Sequence, residues 1–323
     1  MEPQIFELDD GAGLRVALMD IGATWLSCRL HLPDGSEREV LLGHARPQHH
    51  LHQGGYLGGL IGRYANRIAG ARYRLDGIER QLVPNEGRHQ LHGGPDGFHR
   101  RRWQVLEATP RELRLRLVSP DGDQGFPGEL TVEATYAIVA PGELSLSWRA
   151  NCTAACPVNL TSHAYFNLDG DARGIAGHTL QIQADEVLPV DAELIPTGSL
   201  LPVAGTDFDF RQPRRAIKDG GRVYDHCWRL AETAHPVATL TSADSRVMMQ
   251  LFTSLPGVQH YSGQHLTEAR GRDDQPFATC AGIALEPQFF PDSPNRPEWP
   301  QPSCVLRPGA TMSHQIRWRF IVR

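Results

Sequence analysis

The chain has 323 residues, of which 40% are hydrophobic and 21% are charged, as is usual for a globular protein that buries a sizeable core. Its net charge of -5 argues against nucleic acid or an anionic membrane surface as a partner. The first residues lack the basic and apolar regions of a secretory signal, and no apolar run approaches the roughly 18 residues of a membrane span.

The six cysteines are scattered along the chain. Without an export signal, we expect them to be free thiols in a reducing cytosol. Cys152 and Cys156 are close in sequence, but this pair alone does not make a metal site. We therefore predict a cytoplasmic protein that contains no metal.

Strand patterns dominate the sequence. Apolar and polar residues alternate at Leu113–Leu117, Leu144–Trp148 and Ile316–Phe320, which predicts strands with one buried face. Other β-rich runs lie at 14–19, 132–139, 178–182, 237–240 and 247–252.

Turn sequences separate these runs, and no clear helical periodicity lies between them. We therefore predict an all-β fold, a large antiparallel β-sandwich with few short helices. No linker, repeat or charge block divides the chain, so the whole of residues 1–323 is predicted to be a single domain.

Two glycine-containing segments in the first third carry polar side chains. In Gly62–Ile68, Asn66 and Arg67 offer an amide and a planar guanidinium, which can span two neighbouring hydroxyls. A turn with a surface arginine would give the same pattern. His92 is flanked by Leu91 and two glycines, where a histidine is more often a turn residue than a catalyst.

The segment Pro157–Leu168 alternates polar residues with small or apolar ones. On a strand, its polar side chains would share one face. Such a row suits a cleft that reads hydroxyl groups better than a dry core, because each buried polar group needs a partner. The polar residues of this row are Asn159, Thr161, His163, Tyr165 and Asn167.

Two further segments carry carboxylates. Asp225 lies in a Tyr-Asp-His triplet, which alone is often incidental. Glu286 directly follows an apolar run and precedes Pro287. A glutamate is rarely buried unless it is paired or functional, although a carboxylate at the end of a strand can also face water.

Together and in this order, these motifs resemble the aldose 1-epimerase (galactose mutarotase) family over nearly the whole chain. The most specific are NLTSHAYFNL and LEPQ followed by PD; others are GRYANRI, LHGG, GFPG, TDFDFR, YDH and GVQHYSG. The resemblance implies the galactose mutarotase-like supersandwich, which agrees with the strand patterns.

The resemblance also implies roles for individual residues. His163 matches the general acid of the family and Glu286 its general base. Arg63 and Gln288 lie beside the motifs and are weaker candidates. The residues that match sugar-contacting positions are Asn66, Arg67, His92, Tyr165, Asp225 and Gln259. Anomer exchange moves only protons, so no cofactor is implied, and the expected partner is a small free aldose.

Two other classes of function fit some of these residues. A glycoside hydrolase would use two carboxylates, for which Asp225 and Glu286 are candidates. A non-catalytic carbohydrate-binding protein would keep the hydroxyl-reading residues but would not need His163 opposite Glu286. The sequence leaves open the preferred aldose and the oligomeric state.

Overall fold

A computed structural model describes residues 2–51, 54–171, 174–217, 223–231 and 236–323. Within these ranges the fold consists of β-strands and short 3₁₀ helices, without an α-helix. The strands are β1 (Ile5–Asp9), β2 (Leu14–Met19), β3 (Thr24–His31), β4 (Glu37–Glu39), β5 (Leu60–Ile61), β6 (Arg67–Ile68), β7 (Arg72–Leu75), β8 (Ile78–Gln81), β9 (Gln90–Leu91), β10 (Gln104–Ala108), β11 (Glu112–Ser119), β12 (Leu130–Ala140), β13 (Glu143–Cys152), β14 (Cys156–Pro157), β15 (Thr161–Ser162), β16 (Tyr165–Phe166), β17 (Thr179–Ile182), β18 (Glu186–Leu188), β19 (Leu201–Pro202), β20 (Arg214–Arg215), β21 (Asp225–Arg229), β22 (Ala238–Thr241), β23 (Val247–Thr253), β24 (Gly257–Tyr261), β25 (Ile283–Gln288), β26 (Val305–Leu306) and β27 (Met312–Val322). The 3₁₀ helices are Pro47–Leu51, Ala69–Ala71, Phe98–Arg100, Asp123–Gly125, Leu266–Glu268 and Ser293–Asn295.

Two large antiparallel sheets form the centre of the fold. One has nine strands in the order β10-β11-β12-β13-β27-β23-β22-β17-β20, and the other has six in the order β16-β25-β24-β21-β18-β19. Strands β1 to β4 form a separate four-stranded sheet, and four strand pairs complete the described part of the fold. The predicted all-β architecture is confirmed, and the described residues contain no helix long and apolar enough to cross a membrane.

The three alternating runs lie in β11, β13 and β27, which are long strands of the nine-stranded sheet. In β11, the pattern predicted at Leu113–Leu117 leaves the leucines buried and the intervening arginines partly exposed. In the pair of β13 with β27, Leu144 lies opposite Trp318, and both are fully buried. Alternation therefore identified the face that each strand turns to the core.

The core lies between the two large sheets. Phe166 of the six-stranded sheet contacts Phe320 of the nine-stranded sheet, with ring centroids 6.5 Å apart. Trp25 of β3 contacts both sides, at 5.8 Å from Phe166 and 4.9 Å from Trp318. One hydrophobic cluster runs from Leu8 to Phe320, which supports our proposal of a single domain.

The segment Pro157–Leu168 is not the continuous strand that its alternation predicted. Strand β14 ends at Pro157, β15 and β16 are two residues each, and His163 lies between β15 and β16. Asn159 donates to the carbonyls of Ala65 and Phe289, and Asn167 donates to the carbonyl of Ala281 at 2.7 Å. The prediction that both amides face a cleft was wrong, because backbone carbonyls satisfy them inside the protein.

Candidate active site

The alternation of β25 places Glu286 on the face of the six-stranded sheet opposite the core. Ile283 and Leu285 point into the main hydrophobic cluster, so Ala284, Glu286 and Gln288 point the other way. The neighbouring strand pairs Gln259 with Glu286. This side of the sheet carries the polar cluster described below.

His163 is held by its own backbone. Its N–H donates to the carbonyl of Gly59 at 2.9 Å, and its carbonyl accepts from the N–H of Gly58 at 2.9 Å. Gly58 has a positive φ of 69°, and a Cβ there would lie 2.1 Å from the carbonyl oxygen of Trp25. Only glycine fits this position, which explains the glycines ahead of the GRYANRI motif.

His163 and Glu286 face each other at the bottom of a cavity. Nε2 of His163 lies 3.6 Å from Oε2 of Glu286, and the two side chains are 4% and 2% exposed. Among the described residues, Oε2 of Glu286 and Nδ1 of His163 have no hydrogen-bond partner. The distance is slightly long for a direct hydrogen bond, so a hydroxyl group entering the cavity can contact both side chains.

Two hydrogen bonds connect His92 and Asn66, which lie directly beside the β6–β9 pair. The N–H of His92 donates to the carbonyl of Asn66, and the N–H of Asn66 donates to Nδ1 of His92, both at 3.1 Å. A ring nitrogen that accepts a hydrogen bond carries no proton in neutral imidazole. The Nε2 of His92 therefore carries the proton and is a donor.

Arg67 is fixed by Glu86, a residue that the sequence analysis missed. Its Nε donates to Oε2 of Glu86 at 2.6 Å, and its Nη2 donates to Oε1 at 2.8 Å. A bidentate pair of this kind sets the plane of the guanidinium. Arg67 is buried, whereas Glu86 is partly exposed. A carboxylate at the rim of the cavity therefore holds the buried guanidinium in the cavity wall.

Tyr56 is a second missed residue. Its ring stacks on His163 with centroids 5.6 Å apart and contacts His92 edge-on at 4.6 Å. The ring of Tyr165 also contacts that of His163, with centroids 4.9 Å apart. The two tyrosines therefore restrict the rotation of the imidazole.

Asp225 and Gln259 form a hydrogen-bonded pair on the same face of the sheet. Nε2 of Gln259 donates to Oδ1 of Asp225 at 2.6 Å. Asp225 borders the cavity, whereas Gln259 is 3% exposed and supports Asp225 from below. A contact between Gln259 and a sugar stays a prediction, and the position of this amide also suits the orientation of the carboxylate.

The cavity has a volume of about 400 Å³. Seven of the eight site residues expected from the sequence border it, namely Asn66, Arg67, His92, His163, Tyr165, Asp225 and Glu286. The other lining residues are Gly55, Tyr56, Glu86, Leu91, Leu194, Tyr261, His265, Leu266 and Glu268. A mainly polar wall with a few rings suits a ligand that carries several hydroxyl groups.

Burial opposes charge on both members of the central pair. It lowers the pKa of His163 to about 4. Burial also raises the pKa of Glu286 well above its ordinary value, and the nearby carboxylate of Asp225 raises it further. In the free protein these shifts favour a neutral imidazole and a protonated carboxyl group. The pair therefore shares one titratable proton, which is on Glu286.

Three possible metal-ligand atoms, one each from His92, His163 and Glu286, lie within 4.8 Å of one another. The orientation of His92 does not fit a metal ion. Its Nδ1 accepts from the N–H of Asn66 at 3.1 Å, so Nε2 carries a proton, whereas a ligand nitrogen must present a lone pair. The cluster is better suited to moving protons.

Arg63 and Gln288, the two weaker candidates, lie away from the cavity wall. Gln288 is buried beside Cys227 and opposite Gly257 in the sheet. Arg63 is 2% exposed and its guanidinium donates to four backbone carbonyls and the Ser119 hydroxyl. The carbonyls belong to Ser119, Pro120, Pro127 and Gly128. Arg63 therefore holds the loop between β11 and β12.

We expect Arg63→Met to lower the free energy of unfolding by about 3 kcal/mol or more, since each buried acceptor that loses its donor costs about 1–3 kcal/mol. The exposed Arg72→Met is the matched control and should change the free energy little. Urea unfolding followed by tryptophan fluorescence measures both. Equal midpoints for the two variants would contradict a structural role for Arg63.

The sequence is similar to those of known proteins over nearly its whole length. A sequence model of the aldose 1-epimerase family matches residues 4–319. The chain is 46% identical to the aldose 1-epimerase of Escherichia coli, over 98% of this chain and 95% of that one. It is 38% identical to the galactose mutarotase of Homo sapiens, over 96% and 92%.

Solved structures give the same result. An aldose epimerase homologue from C. elegans superimposes with a TM-score of 0.94 at 28% identity, covering 99% of both chains. A galactose 1-epimerase from Lactobacillus acidophilus superimposes with a TM-score of 0.83 at 26% identity, over 98% of this chain and 93% of that one. The family resemblance and the fold expected from the sequence are confirmed, and the chain belongs to the aldose 1-epimerase family.

Proposed function

We propose that the protein interconverts the α and β anomers of a free aldose, with Glu286 as general base and His163 as general acid. The observation that carries this proposal is the 3.6 Å separation of the two side chains in a buried, polar cavity. An acid and a base on either side of a hemiacetal are what ring opening requires.

In the proposed reaction, Glu286 takes the proton of the C1 hydroxyl while His163 gives a proton to the ring oxygen. The bond between C1 and the ring oxygen breaks, and C1 becomes an aldehyde. After rotation about the C1–C2 bond, the hydroxyl group formed from the ring oxygen attacks the other face of the aldehyde. His163 then recovers its proton and Glu286 returns the other to the C1 oxygen, so atoms and charges balance.

The protonation state of the free protein fits this cycle. While the sugar is an open-chain aldehyde, Glu286 is protonated and His163 is neutral. While the ring is closed, Glu286 is a carboxylate and His163 is an imidazolium. The two forms differ by one proton transfer. We propose that Arg67, which lowers the pKa of Glu286, and the hydroxyl groups of the sugar favour the charged form when the ring is bound.

Other cavity residues are proposed to orient the sugar. The Nε2–H of His92 and the guanidinium of Arg67 are donors for hydroxyl or ring oxygens, and Asp225 is an acceptor for hydroxyl groups. Asn66 acts mainly by holding His92. The ring of Tyr165 packs beside His163 and its hydroxyl is a further donor.

The charges of the cavity favour an uncharged sugar over a sugar phosphate. Three carboxylates border the cavity beside the protonated Glu286, at Glu86, Asp225 and Glu268. The guanidinium of Arg67 already pairs with Glu86. A phosphate group would therefore meet repulsion without a free arginine to compensate.

Polarimetry tests the proposed function. Freshly dissolved α-glucose, α-galactose and α-xylose should each be followed with protein and in buffer alone, and the initial rates over this panel would rank the substrates. At least one sugar should reach equilibrium much faster with the protein. Rates equal to buffer for the whole panel, or release of the aryl group from an aryl glycoside, would overturn the proposal in favour of sugar binding or hydrolysis.

The pH dependence of the rate follows from the one-proton pair. Adding a second proton to the pair would place a buried positive charge on His163. Activity should therefore fall as the pH drops through about 4, rather than through the ordinary histidine pKa of roughly 6.5. Loss of the single proton leaves a buried negative charge, so the alkaline limit lies well above the ordinary pKa of Glu286. We expect a broad plateau of activity between these two limits.

Initial rates at subsaturating sugar, with the rate of buffer alone subtracted at each pH, measure this profile. An acid limb centred near the ordinary histidine pKa would contradict the effect of burial on His163.

We further propose a cytoplasmic location. All six cysteines are free and buried, as suits a reducing compartment. Fractionation of the cells that express the protein would test this location.

A further inference from the structure

Leu194 borders the sugar cavity and has no role in the proposed reaction. It lies in the connection between β18 and β19, and its φ of 61° is in the left-handed region. This conformation is uncommon for any residue other than glycine, and a bulky side chain makes it more costly. Leucine is therefore a poor choice for this backbone unless its side chain is needed.

Left-handed backbone recurs around this cavity. In the described part of the chain, twelve residues other than glycine have a positive φ, and four of them border the cavity, namely Tyr56, Asn66, His92 and Leu194. Residues held in such conformations concentrate at functional sites. Tyr56 and His92 contact His163, and Asn66 holds His92. Leu194 is thus the member of this set whose contact with the reaction is still to be assigned.

The hydrogen bonds of a tight turn impose this conformation on Leu194. The carboxylate of Asp191 accepts from the N–H groups of Glu193 and Ile195 at 2.9 and 3.0 Å. The N–H of Asp191 donates to the carbonyl of Ile195 at 2.9 Å, and the N–H of Leu194 donates to the carbonyl of Asp191 at 3.0 Å. A strained conformation persists where the surrounding contacts over-determine it.

Ion pairs join this turn to a segment of the cavity wall. The carboxylate of Glu193 pairs with Arg88 and lies 3.4 Å from Nε2 of His89. The same segment supplies Glu86, which fixes Arg67. The side chain of Glu193 is 48% exposed, so the turn lies at the mouth of the cavity and not at its bottom.

The core does not use the side chain of Leu194. This side chain is partly exposed, and within the described ranges it neither belongs to a hydrophobic cluster nor packs against one. Its apolar surface is therefore available to a molecule in the cavity. A sugar ring carries C–H groups between its hydroxyls, and an aliphatic side chain can cover these groups while the polar wall binds the hydroxyls.

We propose that Leu194 is a specificity-determining residue that packs on the C–H groups of the sugar at the end remote from C1. The inference rests on the proposed function, because the acid–base pair at the bottom of the cavity fixes the position of C1 and of the ring oxygen. A sugar held there directs C3 and C4, the opposite side of the ring, towards the mouth where Leu194 lies.

This position predicts which kinetic constant depends on Leu194. Contacts far from the reacting atoms are the same in the bound sugar and in the transition state, so they contribute to KM and not to kcat. Glucose and galactose differ at C4. The ratio of kcat/KM for these two sugars should therefore change when Leu194 is replaced.

Polarimetry with α-glucose and α-galactose over a range of concentrations tests the inference. Leu194→Ala should raise KM by about fourfold or more for at least one of the two sugars, since each CH₂ group removed from water contributes a factor of about four, while kcat stays nearly unchanged. Leu194→Met keeps an apolar side chain and should have nearly the KM of the wild type. Leu201→Ala, at an exposed leucine of β19, is the matched control and should leave both constants unchanged.

Leu194→Asn separates a role in sugar binding from a structural one. Asparagine tolerates left-handed backbone better than leucine, and the leucine lies outside the hydrophobic clusters. This variant should therefore have a Tm equal to or higher than that of the wild type, while its KM rises as in Leu194→Ala. A purely structural role would instead lower both Tm and kcat in the two variants, and that result would overturn the inference.

Isothermal calorimetry with the same two sugars distinguishes failure of the inference from failure of the proposed function, because it measures affinity without turnover. If the wild type does not accelerate anomer exchange but Leu194→Ala weakens sugar binding, the proposed function fails and the contact of Leu194 with the sugar stands. If the wild type is active and both Leu194→Ala and Leu194→Asn keep its KM values, or the ratio of kcat/KM for the two sugars stays the same, the inference fails alone.

Discussion

Replacing Glu286 with Gln should lower kcat for anomer exchange by about 10²–10⁴-fold, the contribution of one positioned acid–base group, while the sugar still binds. Glutamine keeps the shape of the side chain but cannot take up the proton of the C1 hydroxyl. Because burial already favours the protonated, neutral form of Glu286, the neutral amide should leave the fold intact.

Polarimetry measures the rate of this variant, and isothermal calorimetry measures its affinity for the sugar. The matched control is Glu268→Gln, which removes an exposed carboxylate from the rim of the same cavity and should reduce the rate far less. A near-wild-type rate in Glu286→Gln would remove this residue from the mechanism.

His163→Asn should cause a loss of similar size, about 10²–10⁴-fold in kcat. Asparagine can donate a hydrogen bond to the ring oxygen but cannot release a proton to it. His265→Asn is the matched control, since it removes an exposed imidazole from the same cavity and should affect the rate much less.

The double variant His163→Asn/Glu286→Gln makes this test sharper. If the two side chains act as one acid–base pair, the double variant should be about as slow as either single one, because residues that act as a unit are not additive. A double variant whose loss equals the product of the two single losses would mean that the side chains act in separate steps.

The regular part of the fold could be read from the sequence because strand alternation is a local signal. The pattern Leu113–Leu117 needs no distant information, since successive side chains of a strand point to opposite faces. The same reasoning failed at Asn159 and Asn167. Their amides are satisfied by backbone carbonyls, which only the folded chain brings near.

The candidate site was only partly predictable for a similar reason. Glu286 carried a local signal, since it directly follows buried residues of a strand. Glu86 did not, because a charged residue in a loop is normally solvated, and its bond to Arg67 exists only once β6 and β9 have paired. Tyr56 carried no local signal either, because its contact with His163 depends on the tertiary structure.

The site is assembled from segments that are far apart along the chain. The base comes from β25, the acid from the connection between β15 and β16, and the guanidinium from β6. Contacts between distant segments form late and slowly in folding. No fragment that ends before β25 contains both proton-transfer groups, so the recovery of anomer exchange during refolding signals that β25 has paired with β16 and β24.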